Sequence, residues 1–378
     1  MPFDAAAARC PDYEPAHVRA ALEEAVNAAG GLGWVAPGMR IAVKCNLVGA
    51  YKPEAAATVH PAVAGELCSM LTARGAEVVI GDSPSGVFTA GHLSAVYSVT
   101  GMKAVEETGA QLNYDFSQRD VYFPEGRRLK SFPLTAWLLD ADAVIDLCKL
   151  KTHAMVGFTC GVKNFFGSIP GTHKTEFHYL NPKLEEFCDM LIDINEFIKP
   201  RLTVVDAVTG MEGNGPTAGT PRHIGVIAAA KTPYAADLLA AKLIGLDGSA
   251  PTIAAAAERG LCPGSFDGLS VYGDVAAMAV ADFKKQPPRG EMRLNSKIPA
   301  IRHIASLCFG TGPRVNAEKC VGCGKCQSVC PMHTVHVKDG KARISREACI
   351  RCFCCQEFCP QGAITLYRPP LARLMGKL

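Results

Sequence analysis

The chain is poor in aromatic residues: Phe, Trp and Tyr make up 7% of its 378 residues, and only two are Trp. No aromatic platform is interleaved with basic side chains, so nucleic-acid binding is not expected. Long apolar runs are also missing. The Ala-rich stretch 224–246 is interrupted by Lys231, Pro233, Asp237 and Lys242, which makes it a poor membrane span. The opening residues, MPFDAAAARCPDYEPAHV, have no basic segment leading into a continuous apolar one, so the reading is a cytoplasmic protein without a signal peptide. Two nucleotide fingerprints are absent: there is no Walker A loop, and no G-x-G-x-x-G follows the first strand. With 48% apolar and 20% charged residues, the composition is that of an ordinary soluble globular protein.

Cysteine is abundant, with seventeen in the chain. Such a count indicates a secreted disulfide scaffold only in a much shorter chain. Eight of the seventeen form two runs: Cys320, Cys323, Cys326, Cys330 before Pro331, and Cys349, Cys352, Cys355, Cys359 before Pro360. Both have the spacing C-x2-C-x2-C-x3-C-P, the bacterial-ferredoxin pattern for a pair of 4Fe–4S clusters. The fourth cysteine of each run turns away to ligate the other cube. One cluster is therefore expected on Cys320, Cys323, Cys326 and Cys359, and the other on Cys349, Cys352, Cys355 and Cys330. Zinc sites and disulfides compete with this reading, but a doubled pattern with both prolines weighs against them. One-electron transfer is the expected chemistry. Clusters and free thiols together favour a reducing compartment. Cys354 is an extra thiol beside Cys355 and is read as packing.

The charge is unevenly spread. Residues 313–378 hold eleven Lys/Arg and four Asp/Glu, a net +7, against −4 for the rest of the chain. Each oxidised cube with four thiolates brings about −2, which leaves the tail at roughly +3. The basic excess either neutralises the clusters or docks an acidic electron donor or acceptor protein of ferredoxin or flavodoxin type.

A body of nearly 300 residues precedes the clusters. Met39–Leu47, Glu77–Ile80, Ala143–Leu147, Leu202–Asp206, Ile224–Ala229 and Leu269–Tyr272 read as strands. Pro61–Arg74, Pro182–Ile198 and Ala235–Ile244 read as helices. Strand, helix and strand in alternation predict an α/β body with a mainly parallel, Rossmann-like sheet, followed by a small α+β ferredoxin-like two-cluster domain. The expected division is a body over 1–283, a Pro-rich linker over 284–312, the cluster domain over 313–368 and a basic tail over 369–378.

In parallel sheets, binding groups collect at the C-terminal strand ends. Lys44 and Asn46, Asp82 and Ser83, and Lys149, Lys151, Thr152 and His153 all stand at such ends. A Gly-rich loop with Lys163, Asn164, His173 and Lys174 follows. Alternate strand residues share a face, so Lys44 and Asn46 are expected to point together, as are Lys149 and Lys151. Cys45 and Cys148 are then buried thiols. If the strand ends meet, five lysines converge with His153, Asn164, His173, Asp82, Asp206, Glu212 and Asp237. Such a site suits a carboxylate or phosphate. His153 is the leading proton-transfer candidate, with Lys163 and Lys151 beside it. The acidic residues either pair with the lysines, which is preferred, or bind a divalent metal.

Lys149-x-Lys151-Thr152-His153, Gly161-Val162-Lys163-Asn164-x-x-Gly167, Asp206 with Glu212-Gly213-Asn214-Gly215-Pro216, and Ala236-Asp237 resemble the DUF362 family. The resemblance covers nearly all of residues 39–275, with Cys45 standing where a proline is expected. It implies architecture and cofactor class, including ferredoxin-fused members, but no reaction. The leading functional expectation is a soluble iron–sulfur oxidoreductase that passes electrons to an anionic small molecule, or to a flavin or deazaflavin, at the lysine-lined site. The alternative is an electron-transfer or docking subunit of a larger redox complex. A third reading is non-redox chemistry on an anion, with the clusters structural.

Overall fold

The computed structural model describes residues 2–246, 250–289 and 311–369. The body strands are β1 (Ala5–Arg9), β2 (Arg40–Cys45), β3 (Glu77–Gly81), β4 (Gln111–Leu112), β5 (Gln118–Tyr122), β6 (Ser131–Thr135), β7 (Ala143–His153), β8 (Gly157–Thr159), β9 (Leu202–Glu212), β10 (Thr220–Ala230) and β11 (Val271–Tyr272). Nine of them form one sheet in the order β11-β1-β10-β9-β7-β2-β3-β4, with β8 paired to the end of β7. The run β9-β7-β2-β3-β4 is parallel throughout. β10 is antiparallel to β9, and β1 antiparallel to β10. The body is therefore α/β with a mainly parallel mixed sheet.

Helices cover both faces. Residues of Pro15–Ala28, Pro61–Thr72 and Ala90–Val99 pack on one side against Ile41, Val43, Cys45, Leu147 and Val204. Pro233–Leu243 and Leu184–Ile198 pack on the other, against Cys148, Val205 and Ala42. With both faces covered, the strands have no need for polar alternation. This explains why β1 is a run of four buried alanines that no alternating pattern announces. Helix starts follow local chemistry. Pro61 and Pro233 occupy first-turn positions, where the missing N–H costs nothing, while His60 Nδ1 accepts from Ala62 N and Thr232 Oγ1 from Ala235 N, both at 3.2 Å. Leu184–Ile198 ends in a left-handed Lys199 before Pro200, which cannot extend it.

Two strands run further than expected. β7 continues through Cys148–His153 because β8 pairs with its end, Lys151 opposite Thr159 and His153 opposite Gly157. β9 continues from the expected end at Asp206 through Gly210–Glu212, because Thr220 and Pro221 of β10 pair with Glu212 and Met211.

The C-terminal part forms two small antiparallel sheets, β12 (Gly312–Val315) with β15 (Ile364–Tyr367) and β13 (Val335–Lys338) with β14 (Lys341–Ile344). It packs directly on the body. Phe353 is buried in the body core with Phe132, Phe165 and Phe187, and Leu366 packs against that cluster. Phe353 holds φ +65°, the left-handed conformation that Gly324 adopts at the matching position of the first half-repeat. Such a backbone is costly for a bulky side chain, and burial of the ring offsets the cost. Gln356 Nε2 donates to Asn214 Oδ1 at 2.7 Å. The first residues of the expected linker lie on the body: Lys284 N donates to Glu212 Oε2 at 2.9 Å, and Arg289 reaches the carbonyls of Pro182 and Ile350. Residues 290–310 of the linker and 370–378 of the basic tail lie outside the described residues. Among the described residues, no helix is long and apolar enough to cross a membrane.

Candidate active site and metal centre

Strand register sets Lys149 apart from Lys44. β2 and β7 pair Lys44 with Asp146 and Cys45 with Leu147. Leu147 therefore shares the face of Cys45, and so does Lys149 two residues on, opposite to Lys44. On its own face Lys149 meets Asp206, its register partner on β9. Its Nζ donates to Asp206 Oδ2 at 2.7 Å and to Tyr13 Oη at 2.9 Å. Asp206 also accepts from Tyr13 Oη at 3.0 Å and from His60 N at 2.9 Å, and the Tyr13 and His60 rings stack at 3.6 Å. This cluster is closed and buried, and neither Lys149 nor Asp206 reaches the cavity described next.

That cavity, of about 200 Å³, opens at the C-terminal edge of the sheet, between the body and the cluster domain. Lys151, Lys163 and Lys174 line it, with Asn46, Asp82, Ser83, Asn164 and His153. Lys44 sits directly behind, fully buried, with Nζ 2.9 Å from Asp82 Oδ1 and 3.1 Å from Asn164 Oδ1. Gly167 makes this approach possible, since a Cβ there would lie 2.2 Å from Asp82 Oδ1. Asn164 Nδ2 donates to Asp146 Oδ1 at 2.7 Å, tying the lysine loop to β7. Lys151 Nζ donates to Asn46 Oδ1 at 2.9 Å and to the Ala57 carbonyl at 2.7 Å. Lys174 Nζ donates to Ser83 Oγ at 3.0 Å. Lys163 makes no salt bridge among the described residues and lies over the rings of Phe166 and Phe187, at 4.9 and 5.9 Å. Burial pushes Lys151 and Lys174 down to about 7, and lowers Lys163.

His153 joins the two parts of the molecule. Its Nδ1 accepts from Met155 N at 3.1 Å and Val156 N at 3.4 Å, and its Nε2 lies 2.8 Å from Glu357 Oε1. With Nδ1 taken as an acceptor, Nε2 carries the hydrogen and donates it to the carboxylate. Burial, reinforced by Lys163, pushes His153 down to about 4, so the ring is neutral. Burial alone would raise Glu357, but Lys163 and His153 outweigh it and hold the carboxyl well below the usual range. Both nitrogens of His153 are thus engaged, and its geometry is that of a latch.

The cysteines surround two separate voids. Cys320, Cys323, Cys326 and Cys359 line one, and Cys330, Cys349, Cys352 and Cys355 line the other, together with Cys354. These are the crossed quartets expected from the spacing. Among the described residues, no three His, Cys, Asp or Glu side chains are placed to hold a single metal ion. The quartets fit cube-shaped clusters, whose ligands stand apart around a core. Gly322 and Gly324 take positive φ in the first loop, and Arg351 and Phe353 in the second, so both loops wrap their voids alike.

Other expected site residues hold the scaffold. Thr152 Oγ1 donates to the Gly213 carbonyl at 3.0 Å and accepts from Gly215 N at 3.2 Å. Asn214 contacts Gln356 and the Ile364 carbonyl. Glu212 accepts from Lys284 N, and Asp237 from Val162 N at 3.3 Å, with burial pushing Asp237 up to about 7. His173 lies off the cavity and pairs with Glu176 at 3.3 Å on the outer side of the helix His173–Leu180. The acidic residues are engaged by lysines or backbone amides: Asp82 by Lys44, Asp206 by Lys149, Glu212 by Lys284 and Asp237 by Val162. Cys45 and Cys148 are fully buried.

Among the cavity residues that went unread in the sequence, four come from the cluster domain: Glu357, Phe358, Ser328 and Val329. A signal existed. The half-repeats Cys326-Gln-Ser-Val-Cys330 and Cys355-Gln-Glu-Phe-Cys359 match in spacing, and both place their last two intervening residues on the cavity. Only the second carries an acid. His178 also lines the cavity. It stacks on Phe187 at 4.6 Å, and its buried Nδ1 has no hydrogen-bond partner among the described residues.

An α/β body whose sheet edge meets a cysteine-rich electron-transfer domain defines the class, and the family follows from comparison. The chain belongs to the DUF362 family, described as a domain of unknown function, which matches residues 41–242. Residues 312–360 match a 4Fe–4S dicluster domain. The thylakoid-associated protein sll1697 of Synechocystis sp. (strain ATCC 27184 / PCC 6803 / Kazusa) is 31% identical over 315 residues, spanning 81% of this chain and 90% of that protein. Among solved structures, the lactate racemase apoprotein from Thermoanaerobacterium thermosaccharolyticum gives a TM-score of 0.38 at 13% identity, covering 58% of this chain and 53% of that one. A protein from Thermotoga maritima gives 0.37 at 17% identity, covering 60% and 57%. The C-terminal domain binds 4Fe–4S iron–sulfur and serves electron transfer.

Proposed function

We propose that the protein is an iron–sulfur oxidoreductase that reduces a small anionic molecule bound in the lysine-lined cavity. One observation carries the reading: Cys354, which lies between the ligands Cys352 and Cys355, forms part of the cavity wall. Cys330, Cys349, Cys352 and Cys355 would hold the cluster next to the cavity, and Cys320, Cys323, Cys326 and Cys359 a second cluster nearer solvent, where Cys323 and Val321 are exposed. The clusters supply one-electron transfer.

The residues of the body do the rest. Lys163 and Lys174 face the cavity without a salt bridge and hold the anion. Lys151, held at about 7, exchanges a proton at neutral pH and is suited to protonate the reduced product. His153 fixes Glu357, and with it the helix Cys354–Glu357, against the end of β7. A cavity of about 200 Å³ favours a compact anion over a flavin or deazaflavin, because sites for larger organic ligands usually span ~300–1,000 Å³.

The test uses anaerobically purified, cluster-loaded protein, reduced and freed of excess reductant, with the visible absorbance followed as reducible small anions are added: 2-oxo and unsaturated carboxylates, and oxyanions such as nitrite and sulfite. Reoxidation by one of them in the parent, slowed in Lys163→Gln, is expected. Reoxidation only by a ferredoxin or flavodoxin, unaltered in Lys163→Gln, would replace this reading with that of an electron carrier.

A further inference from the structure

The charge and hydrogen-bonding capacity of the cavity restrict what it can hold. Its walls carry the ammonium groups of Lys151, Lys163 and Lys174, and the carboxylates of Asp82 and Glu357. Asp82 is offset by Lys44 at 2.9 Å. With all three lining lysines protonated, Glu357 leaves a surplus of two positive charges. A buried charge without a partner is strongly unfavourable, so the surplus favours a ligand that brings two negative charges.

The hydrogen-bonding groups point the same way. Ser83 Oγ already accepts from Gly171 N at 2.8 Å and from Lys174 Nζ at 3.0 Å, which leaves its own O–H as a donor. Asn46 commits Oδ1 to Lys151, which leaves its amide N–H groups without an acceptor among the described residues. Glu357, an acceptor, is engaged by His153. The open polar groups are therefore mainly donors. Between them lie Val48, Phe166, Val329 and Phe358, which suit an apolar segment rather than a bare oxyanion. A cavity of about 200 Å³ lies below the ~300–1,000 Å³ usual for larger organic ligands, so the ligand is compact.

We propose that the cavity binds a small organic dianion whose two negative charges are shared among Lys151, Lys163 and Lys174 while its carbon chain lies against Phe166 and Phe358. A straight-chain dicarboxylate and a compact phosphate ester share this chemistry. The inference rests on the proposed function only in taking this cavity as the binding site. A monoanion of the same length leaves one positive charge unmatched. Inorganic phosphate leaves the apolar wall uncovered.

The test is isothermal titration of the anaerobic, cluster-loaded protein with succinate, glutarate, adipate, glycerol 3-phosphate, butyrate and inorganic phosphate. At least one organic dianion is expected to bind ~10-fold or more tightly than butyrate and than inorganic phosphate, and the dicarboxylate and phosphate-ester arms identify which source of the dianion is preferred. Lys163→Gln and Lys174→Gln are each expected to weaken that dianion by ~10-fold or more and to remove its advantage over butyrate. Neither lysine makes a salt bridge, and iron content and circular dichroism check that the variants fold. A variant of opposite sense, Thr175→Asp, adds a negative charge to the cavity wall and is expected to shift preference from dianions towards butyrate. Equal binding of butyrate and the dianions by the parent, or Lys163→Gln and Lys174→Gln variants that fold and keep the parent's preference, would overturn the proposal. Binding of the saturated dianions with no reoxidation of the reduced protein by reducible dianions of the same size, fumarate and 2-oxoglutarate, would uphold the ligand class and refute the reductase reading. Reoxidation by a reducible monoanion such as pyruvate, without preference for dianions, would do the reverse.

Discussion

Lys149 and Lys163 come from the same motif region, yet the structure gives them opposite kinds of work, and exchanging each for methionine separates the two. Lys149 is paired with Asp206 at 2.7 Å, with both side chains almost fully buried. Removing one partner of a buried ion pair typically costs ~3–5 kcal/mol, because the other charge is left without compensation. Asp206 keeps Tyr13 Oη, His60 N and Val208 N as donors, at 3.0, 2.9 and 3.3 Å, so the lower end applies to Lys149→Met. A loss of ~3 kcal/mol is ~150-fold in the folding equilibrium. Lys163→Met removes an ammonium that has no salt bridge and that burial already disfavours. What is lost is its contact with Phe166 and Phe187, worth ~0.5–2 kcal/mol, and its attraction for Glu357, which keeps His153 as a partner. Relief of the desolvated charge offsets this loss, leaving a net change within ~1 kcal/mol. Urea unfolding under anaerobic conditions, followed by far-ultraviolet circular dichroism, measures both. In the same preparations Lys149→Met, where folded, keeps anion binding and Lys163→Met loses it. A Lys149→Met protein as stable as the parent, or a Lys163→Met protein that unfolds as readily as Lys149→Met, would refute the division of the lysines into two groups.

Three further outcomes are expected. Gly167→Ala pushes a methyl group to 2.2 Å from Asp82 Oδ1 and 2.7 Å from Lys44 Nζ, and is expected to cost ~1–3 kcal/mol in urea unfolding and to impair anion binding; a variant indistinguishable from the parent in both would contradict the packing described. In the empty protein Lys151 and Lys174 are held at about 7 by burial, Lys151 facing Glu357, Lys163, Lys149 and Asp82, and Lys174 facing Asp82, Lys44, Lys163 and Glu357. A bound anion raises both lysines, so binding takes up protons and affinity falls as pH rises above about 7; titrations in buffers of different ionisation enthalpy measure the uptake, and an affinity that does not change across this range counts against the lysines as ligands. Cys354→Ser is expected to keep the parent's iron content while Cys355→Ser loses iron, measured per chain with electron paramagnetic resonance; equal losses in the two would make Cys354 a ligand.

The cysteine quartets were legible because a covalent ligand pattern needs only spacing, and the crossing of Cys330 and Cys359 follows from the two prolines. Strand ends were legible too: Lys44, Asp82 and Lys151 lie where apolar runs give way to polar residues. The separation of Lys149 from Lys44 was not, since it depends on Cys45 being in register with Leu147, which no local pattern records. The length of β7 was underread because its last residues, Lys149 to His153, are polar and yet buried, held by tertiary partners rather than by strand propensity. His173 was drawn into the site by its neighbours in sequence, but it stands on the outer side of a helix that turns Lys174 and His178 to the cavity. Glu357 was hidden inside the metal motif, because ligand spacing constrains the cysteines and not the residues between them; its departure from Ser328 is the one local mark it carries.

The short helix Cys354–Glu357 touches three neighbourhoods at once: the void of one cysteine quartet through Cys355, the cavity through Cys354 and Glu357, and the body through His153 and Asn214. The cavity is therefore not a property of the body alone, since two of its walls leave with the cluster domain. Any movement that lifts this one turn opens the lysines to water, releases the latch and widens the distance to the cysteines in a single act. Tight docking by Phe353 thus works as an interlock, in which an enclosed cavity and a nearby cluster are available together or not at all.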